Sequence, residues 1–261
     1  VQNVELWVTD SSGNIGKAIS SVTIKALTDT IPPTVLCQPT TIYLDETGSA
    51  TLIPSYIDGG STDNLSEVHL IASATTFNCS NIGDNIVVLT ASDDTGNKDS
   101  CQTTVTVADT ISPKAICKDI DVYLDENGTV SITEDEIDNG SFDNCISISK
   151  TIDTENFTCD NLGQNTVTLT VSDSSKNTAQ CTSTVTISDT LAPLVQGQDI
   201  TIYVNSEECN TSLSVDDIKT SSSDNCGIVS EVLSKTEFTC SDTSTTQNVV
   251  LTITDASGNT D

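Results

Sequence analysis

The sequence predicts an all-β fold: tandem immunoglobulin-like antiparallel β-sandwiches strung into an elongated rod. Three observations carry that expectation. A motif set recurs at a spacing of 80 residues, first visible in Asp29-Thr30-Ile31, Asp109-Thr110-Ile111 and Asp189-Thr190-Leu191, each followed closely by proline. Self-similarity at a fixed period marks a repeat architecture. Within each copy the apolar residues alternate: Val167, Leu169 and Val171 share one phase and Thr168, Thr170 and Ser172 the other, the pattern of a half-buried strand. Finally, hydrophobic residues make up 35% of the 261 and aromatic residues 3%, too few for one large core and suited to several small ones.

The elements of a repeat follow in order. After the Asp-Thr start comes a strand, Ile42-Tyr43-Leu44-Asp45, Val122-Tyr123-Leu124-Asp125 or Ile202-Tyr203-Val204-Asn205. Polar turns then span 58–64, 138–144 and 219–225. A Phe-x-Cys step follows at Phe77/Cys79, Phe157/Cys159 and Phe238/Cys240. The alternating strands 87–93, 167–173 and 249–255 close on aspartate and a Gly/Asn turn. Residues 1–28 match only the last two strands of the unit, with Val4, Leu6 and Val8 in the inward phase and Trp7 in the outward one. One hairpin cannot bury an apolar face alone, so this segment is expected to complete a preceding repeat. The third copy is expected to stop before its last strand. The predicted division is 1–28, 29–108, 109–188 and 189–261, with short linkers stiffened by Pro33 and Pro113. No helical periodicity is apparent, and the chain is expected to be an internal or processed piece.

Nine lysines, no arginine and 38 acidic residues give a net charge of −29. That sign excludes nucleic acid and disfavours anionic membrane surfaces, and no apolar run is long enough to span a bilayer. Such self-repulsion destabilises a compact state unless cations offset it. The ten cysteines point to disulfides and an oxidising, extracellular compartment. No CxxC pair is present to suggest zinc.

The Asp-Thr-x-x-Pro start, the turn Ser141/Asp143/Asn144/Cys145, Phe157-Thr158-Cys159 and the turn Thr254–Asn259 resemble the HYR-type, immunoglobulin-like repeats of large bacterial surface proteins. Similar arrays occur in giant adhesins of gliding bacteria exported by a type IX system. The resemblance covers essentially the whole chain and implies a sandwich fold, cell-surface display, and adhesion or spacing.

In such a sandwich the start of the first strand and two of the loops meet at one pole. Asp29, Asp58, Asp63 and Asp93 then converge in the first repeat, and Asp109, Asp138, Asp143 and Asp173 in the second. Calcium, which takes six to eight oxygen ligands, would relieve their repulsion and stiffen the joint. The competing reading is that these residues only bond local backbone amides. Lys219 stands in the third repeat where Asp138 stands in the second, leaving Asp189, Asp224 and Asp255, so a weaker cation site is expected there.

Cys37 with Cys101, and Cys117 with Cys181, fall in first and last strands expected to lie side by side, each bridge adding roughly 2–4 kcal/mol. A second pairing, Cys145–Cys159 and Cys226–Cys240, is the next expectation, although strand direction could put its members at opposite poles. Leu65 stands opposite Cys79, and Cys209 has no counterpart. Thr30, Thr110 and Thr190 match an Asp-Ser/Thr-aliphatic O-glycosylation pattern of such bacteria, which would make the chain a glycoprotein. Trp7 reads as a surface residue packed on a neighbouring strand and His69 as a lone surface histidine.

No nucleophile elbow supports catalysis, and acidic pairs that recur in every repeat read as shared structure rather than an active site. The expectation is a non-enzymatic extracellular stalk or adhesin segment. Its partners are surface glycans or other cell-surface and substratum ligands engaged through the full-length protein, neighbouring repeats, and laterally assembled copies. The alternative is a carbohydrate-binding accessory array of a secreted hydrolase.

Overall fold

The computed structural model describes residues 2–25, 28–243 and 245–261. The chain divides into two compact units, one ending at Asp109 and the other spanning Thr110–Asp261.

The first unit opens with an antiparallel hairpin, Gln2–Thr9 against Ile15–Val22, in which Trp7 faces Lys17. Its turn is set by Asp10, which accepts from the amides of Ser12 and Asn14. Every residue of both strands is exposed, including Leu6 at 62% and Val8 at 60%. The alternation marks the strands, yet the inward phase expected for Val4, Leu6 and Val8 is open, because no second sheet among the described residues covers the hairpin.

The rest of this unit is a two-sheet sandwich. One sheet runs, in spatial order, Thr40–Tyr43, Lys98–Ala108, Gly83–Ser92 and His69–Ala72. Its first pair is parallel and the others antiparallel. The facing layer is Ser49–Thr51 with Thr76–Asn78, extended by bridges Thr34↔Thr62 and Cys37↔Asp58. Val87, Leu89, Ala91, Val105 and Val107 project from the large sheet onto Leu52, Ile57 and Phe77, all buried. Burying each large aliphatic side chain contributes about 1.5–3 kcal/mol, so the two-residue alternation of two central strands supplies most of the core.

The same arrangement recurs in the second unit. Ile120–Tyr123, Thr178–Ser188, Gly163–Asp173 and Ile148–Ile152 form the four-stranded sheet, and Thr129–Ser131 pairs with Asn156–Thr158. Leu169, Val171, Val185, Ile137 and Phe157 centre its core. The following repeat is more open. Leu251–Asp255 pairs with Ile228–Leu233, the buried cluster is Leu213, Leu233 and Phe238, and a groove of about 1000 Å³ lies beside it, lined in part by Ile200, Ile202, Phe238 and Val249.

Two single helical turns were not expected from the sequence, Glu134–Ile137 and Val215–Ile218. Each starts at a capping box, Thr133 with Glu136 and Ser214 with Asp217. One turn is too short to register as helical periodicity. Pro54 at the same place in the first repeat leaves a 3-10 turn, Pro54–Tyr56.

The structure joins Cys37 to Cys101 and Cys117 to Cys181, with Cα atoms 6.0 and 5.8 Å apart. The second expected pairing is corrected. Cys159 bonds Cys226 of the next repeat, not Cys145, and Cys240 bonds Cys209, not Cys226. The reason is strand direction. Cys145 lies near the Asp173 end of Gly163–Asp173, since Ile148 pairs with Asp173, whereas Cys159–Asn161 leads into its Gly163 end. An 11-residue strand is roughly 35 Å long at about 3.3 Å per residue, far beyond the reach of a disulfide. Cys209 sits in a turn one residue longer than its counterpart at Asp125–Thr129, at φ 51°. Cys79 and Cys145 are also disulfide-bonded.

Candidate metal centre

The strongest concentration of unrelieved charge lies where the Asp-Thr start meets two loops. In the first unit one carboxylate oxygen from each of Asp29, Asp63 and Asp93 lies within 4.8 Å of the other two. Asp29 enters from the start of the repeat and is 8% exposed, and Asp93 directly follows the central strand Gly83–Ser92 at 4%. Each is oriented by local bonds, which take one oxygen of Asp29 and of Asp63 and both oxygens of Asp93. Asp29 Oδ1 accepts from the Ile31 amide at 3.1 Å. Asp63 Oδ2 accepts from the amides of Leu65 and Ser66 at 2.9 and 3.0 Å. Asp93 Oδ1 accepts from the amides of Thr95 and Asn97, and its Oδ2 from Asn97 Nδ2 at 2.6 Å. Asn97 Nδ2 and the Thr95 hydroxyl also donate to the Asp29 carbonyl at 3.1 and 3.2 Å, tying the loop to the start of the repeat.

What remains is two buried oxygens, Asp29 Oδ2 and Asp63 Oδ1, with no hydrogen-bond partner. Buried polar atoms are nearly always satisfied. The amides of Leu65 and Ser66 hold Asp63 below the ordinary carboxylate range, against burial and the charge of Asp93. At Asp93 burial works to raise the value, and the bonds from Asn97 and Thr95 overcome it. These two acids stay ionised at neutral pH. Carboxylate oxygens held within 4.8 Å of one another repel, and that repulsion grows as solvent is excluded from between them. Oxygen-only ligands suit a hard cation such as calcium.

The third repeat builds the same cluster from Asp189, Asp224 and Asp255. Asp189 and Asp255 are 6% and 1% exposed. Asp224 Oδ2 accepts from the Cys226 amide at 2.8 Å, and Asp255 is held by the amide and side chain of Asn259 at 2.8 and 2.7 Å. Asp189 Oδ2 and Asp224 Oδ1 are buried without partners, as is Asn225 Oδ1. Asn225 was not singled out from the sequence as a ligand. Its signal was its place in the same Asp-Asn-Cys turn as Asp224.

In the second repeat Asp143 Oδ2 accepts from the Cys145 amide at 2.9 Å, with Oδ1 buried and unpartnered. Asp173 is held by Asn177 at 2.8 and 2.7 Å. Asp109 is 6% exposed at the end of the first unit.

Asp58 and Asp138 do not join the clusters. Each accepts from the amide and hydroxyl of the serine three residues on, Ser61 or Ser141. The expected weakness of the third site therefore loses its basis, since the Lys219 position never faces the acids. Lys219 pairs instead with Glu231 at 2.7 Å, and at the equivalent places Asp138 pairs with Lys150 at 3.0 Å, the same bridge with its polarity reversed. Lys150 also bonds Asp135.

Thr30, Thr110 and Thr190 are exposed. Trp7 is 57% exposed with Lys17 Nζ 4.7 Å from the ring centroid, and Lys17 also pairs with Glu5 at 2.7 Å. His69 bonds Asp94 at 2.8 Å on the surface. No helix among the described residues is long and apolar enough to cross a membrane.

Fold and site together describe disulfide-bonded immunoglobulin-like sandwiches in series, with an acidic cluster at the start of the first and third repeats. Residues 28–107 match the HYR domain. The chain is similar to Hyalin of Strongylocentrotus purpuratus, 33% identical over 196 residues that make up 71% of this chain and 16% of Hyalin. It thus spans less than a fifth of that relative. Among solved structures, titin domains I67–I69 (an E-to-A mutated variant) align at 12% identity and a TM-score of 0.36, covering 89% of this chain and 96% of that one. Human mucin-like protocadherin EC1-2 aligns at 14% and 0.34, covering 60% and 98%.

Proposed function

We propose that this chain is a segment of an extracellular adhesion protein, a non-enzymatic series of HYR-like repeats whose acidic clusters bind calcium. The observation that carries the calcium reading is the pair of buried, unpartnered oxygens in each described cluster, Asp29 Oδ2 with Asp63 Oδ1 and Asp189 Oδ2 with Asp224 Oδ1. A cation offsets the repulsion and satisfies those oxygens together. Asp143 and Asp173 are assigned the same role in the second repeat. Isothermal titration with calcium tests this: we expect heat of binding, and a melting temperature that falls on chelation. Binding at one hundred times Kd stabilises by about 2.7 kcal/mol. No heat, with a melting temperature indifferent to chelator, would refute the assignment.

The adhesive role is supported by the HYR match, the similarity to Hyalin and the disulfides of an oxidising compartment. We place the protein at a bacterial cell surface, exported in the manner of gliding-type adhesins, with glycans at Thr30, Thr110 and Thr190. Intact-mass measurement of natively produced protein tests the glycans. Adhesion of cells lacking the full-length protein to other cells and to a substratum tests the role, and unchanged adhesion would sink it.

A further inference from the structure

We propose that the cation site of the third repeat is positioned by the second: the Cys159–Cys226 bond and Asn225 hold its ligands in place and make it bind more tightly than the Asp29 site. This rests on the calcium reading above and adds the device that sets affinity.

The Cys226 amide is the donor that fixes Asp224, bonding Oδ2 at 2.8 Å and leaving Oδ1 buried and unpartnered. The sulfur of that same residue is bonded to Cys159 of the second repeat. Between them in sequence, Asn225 Nδ2 donates to Asp189 Oδ1 at 3.1 Å and to the Asp125 carbonyl of the second repeat at 3.2 Å. Its own Oδ1 is buried without a partner, a fourth oxygen for the ion. The backbones come so close here that a Cβ on Gly128 would lie 2.6 Å from the Asn225 carbonyl oxygen.

The Asp29 cluster provides the contrast within one molecule. Leu65 stands in place of Cys226, and Asn64 is exposed. Among the described residues Asp63 is held by local bonds, from the amides of Leu65 and Ser66 and the Ser66 hydroxyl. A loop free to relax relieves carboxylate repulsion by moving apart and must be reordered when the ion binds. A loop bonded to its neighbour is already ordered, and removing the cost of immobilising one or two side chains is worth on the order of 10-fold in affinity.

The test uses the full chain in two backgrounds. Asp29→Asn with Asp143→Asn leaves the Asp189 cluster, and Asp143→Asn with Asp189→Asn leaves the Asp29 cluster. Calcium titration of each is compared with and without Cys159→Ser/Cys226→Ser, with circular dichroism confirming the sheets. We expect the serine pair to weaken calcium on the order of 10-fold at the Asp189 cluster and to leave the Asp29 cluster unchanged. Asn225→Ala, which keeps the disulfide, should weaken the Asp189 cluster alone, and decides the matter if the serine pair fails to fold. Calcium binding in both backgrounds, with the variants moving neither cluster or both equally, overturns the proposal while the calcium reading stands. No binding in either background overturns both.

Discussion

Replacing Gly128 by alanine should damage the junction of the second and third repeats in a way that backbone strain alone does not explain. Gly128 has φ +71°, and an added Cβ would meet the Asn225 carbonyl oxygen at 2.6 Å and Cys159 Sγ at 2.7 Å. The left-handed conformation costs a side-chain-bearing residue about 1–2 kcal/mol. The contact adds an overpacking cost of about 1–3 kcal/mol, since both obstructing atoms belong to a disulfide-linked segment with little room to retreat. Gly140 is the control, at φ +88° with nothing within 4 Å of its Cβ position. Gly128→Ala should therefore cost about 2–5 kcal/mol and Gly140→Ala only the strain, about 1–2 kcal/mol. In calorimetry a kcal/mol moves a domain of this size by roughly 2–4 °C, so the two melting shifts are resolvable. If Gly128→Ala melts no lower than Gly140→Ala, the close approach of the two repeats is wrong.

Leu169→Ala, at a fully buried position of the second core, should cost about 2–5 kcal/mol in chemical denaturation, whereas the neighbouring Thr168→Ala should cost far less. Asp138→Lys alone should destabilise by about 1–3 kcal/mol, since it sets two ammonium groups together at side chains only 12% and 21% exposed. Adding Lys150→Glu should restore most of that, because the third repeat already holds this polarity in Lys219 and Glu231. Burial works against ionising Asp138, yet the bonds from Ser141 and Lys150 bring it down from 3.8 to about 2. A depressed carboxylate stabilises the fold above its unfolded value and loses that contribution as pH falls through the folded one. Wild type should thus lose about 2 kcal/mol between roughly pH 4 and pH 2 that Asp138→Asn does not lose, measured by urea titration at each pH.

The sandwich was legible because period-two alternation and an 80-residue spacing report the backbone directly. The clusters were legible in part. Asp29, Asp63, Asp93, Asp189, Asp224 and Asp255 converge as strand direction requires, whereas Asp58 and Asp138 sit in equally acidic turns and face elsewhere. Asp58 and Asp138 bond the serine three residues on, Ser61 or Ser141, but that spacing does not separate the two kinds of turn, since Asp63 bonds Ser66 in the same way and still joins its cluster. The second disulfide set was not legible, because Gly163–Asp173 carries Cys145 near one end and Cys159 near the other, and only the folded chain brings their true partners within reach. Asn225 escaped notice because an amide carries no charge to flag it. The exposed Leu6 and Val8 show the reverse limit, since alternation states that a face is apolar without supplying the sheet that covers it.

The reversed polarity of the two bridges bears on how neighbouring repeats avoid misfolding into one another. Similar sequences in tandem can exchange strands, a characteristic failure of repeat proteins. Were Ile148–Ile152 and Ile228–Leu233 to trade places, Asp138 would meet Glu231 and Lys219 would meet Lys150, two like-charged encounters in poorly hydrated positions. Each sandwich therefore carries an electrical key that admits its own strand and rejects its neighbour's. Asp138→Lys with Lys150→Glu gives both sandwiches the same key, so that variant should regain most of the wild-type equilibrium stability yet refold with a larger trapped fraction.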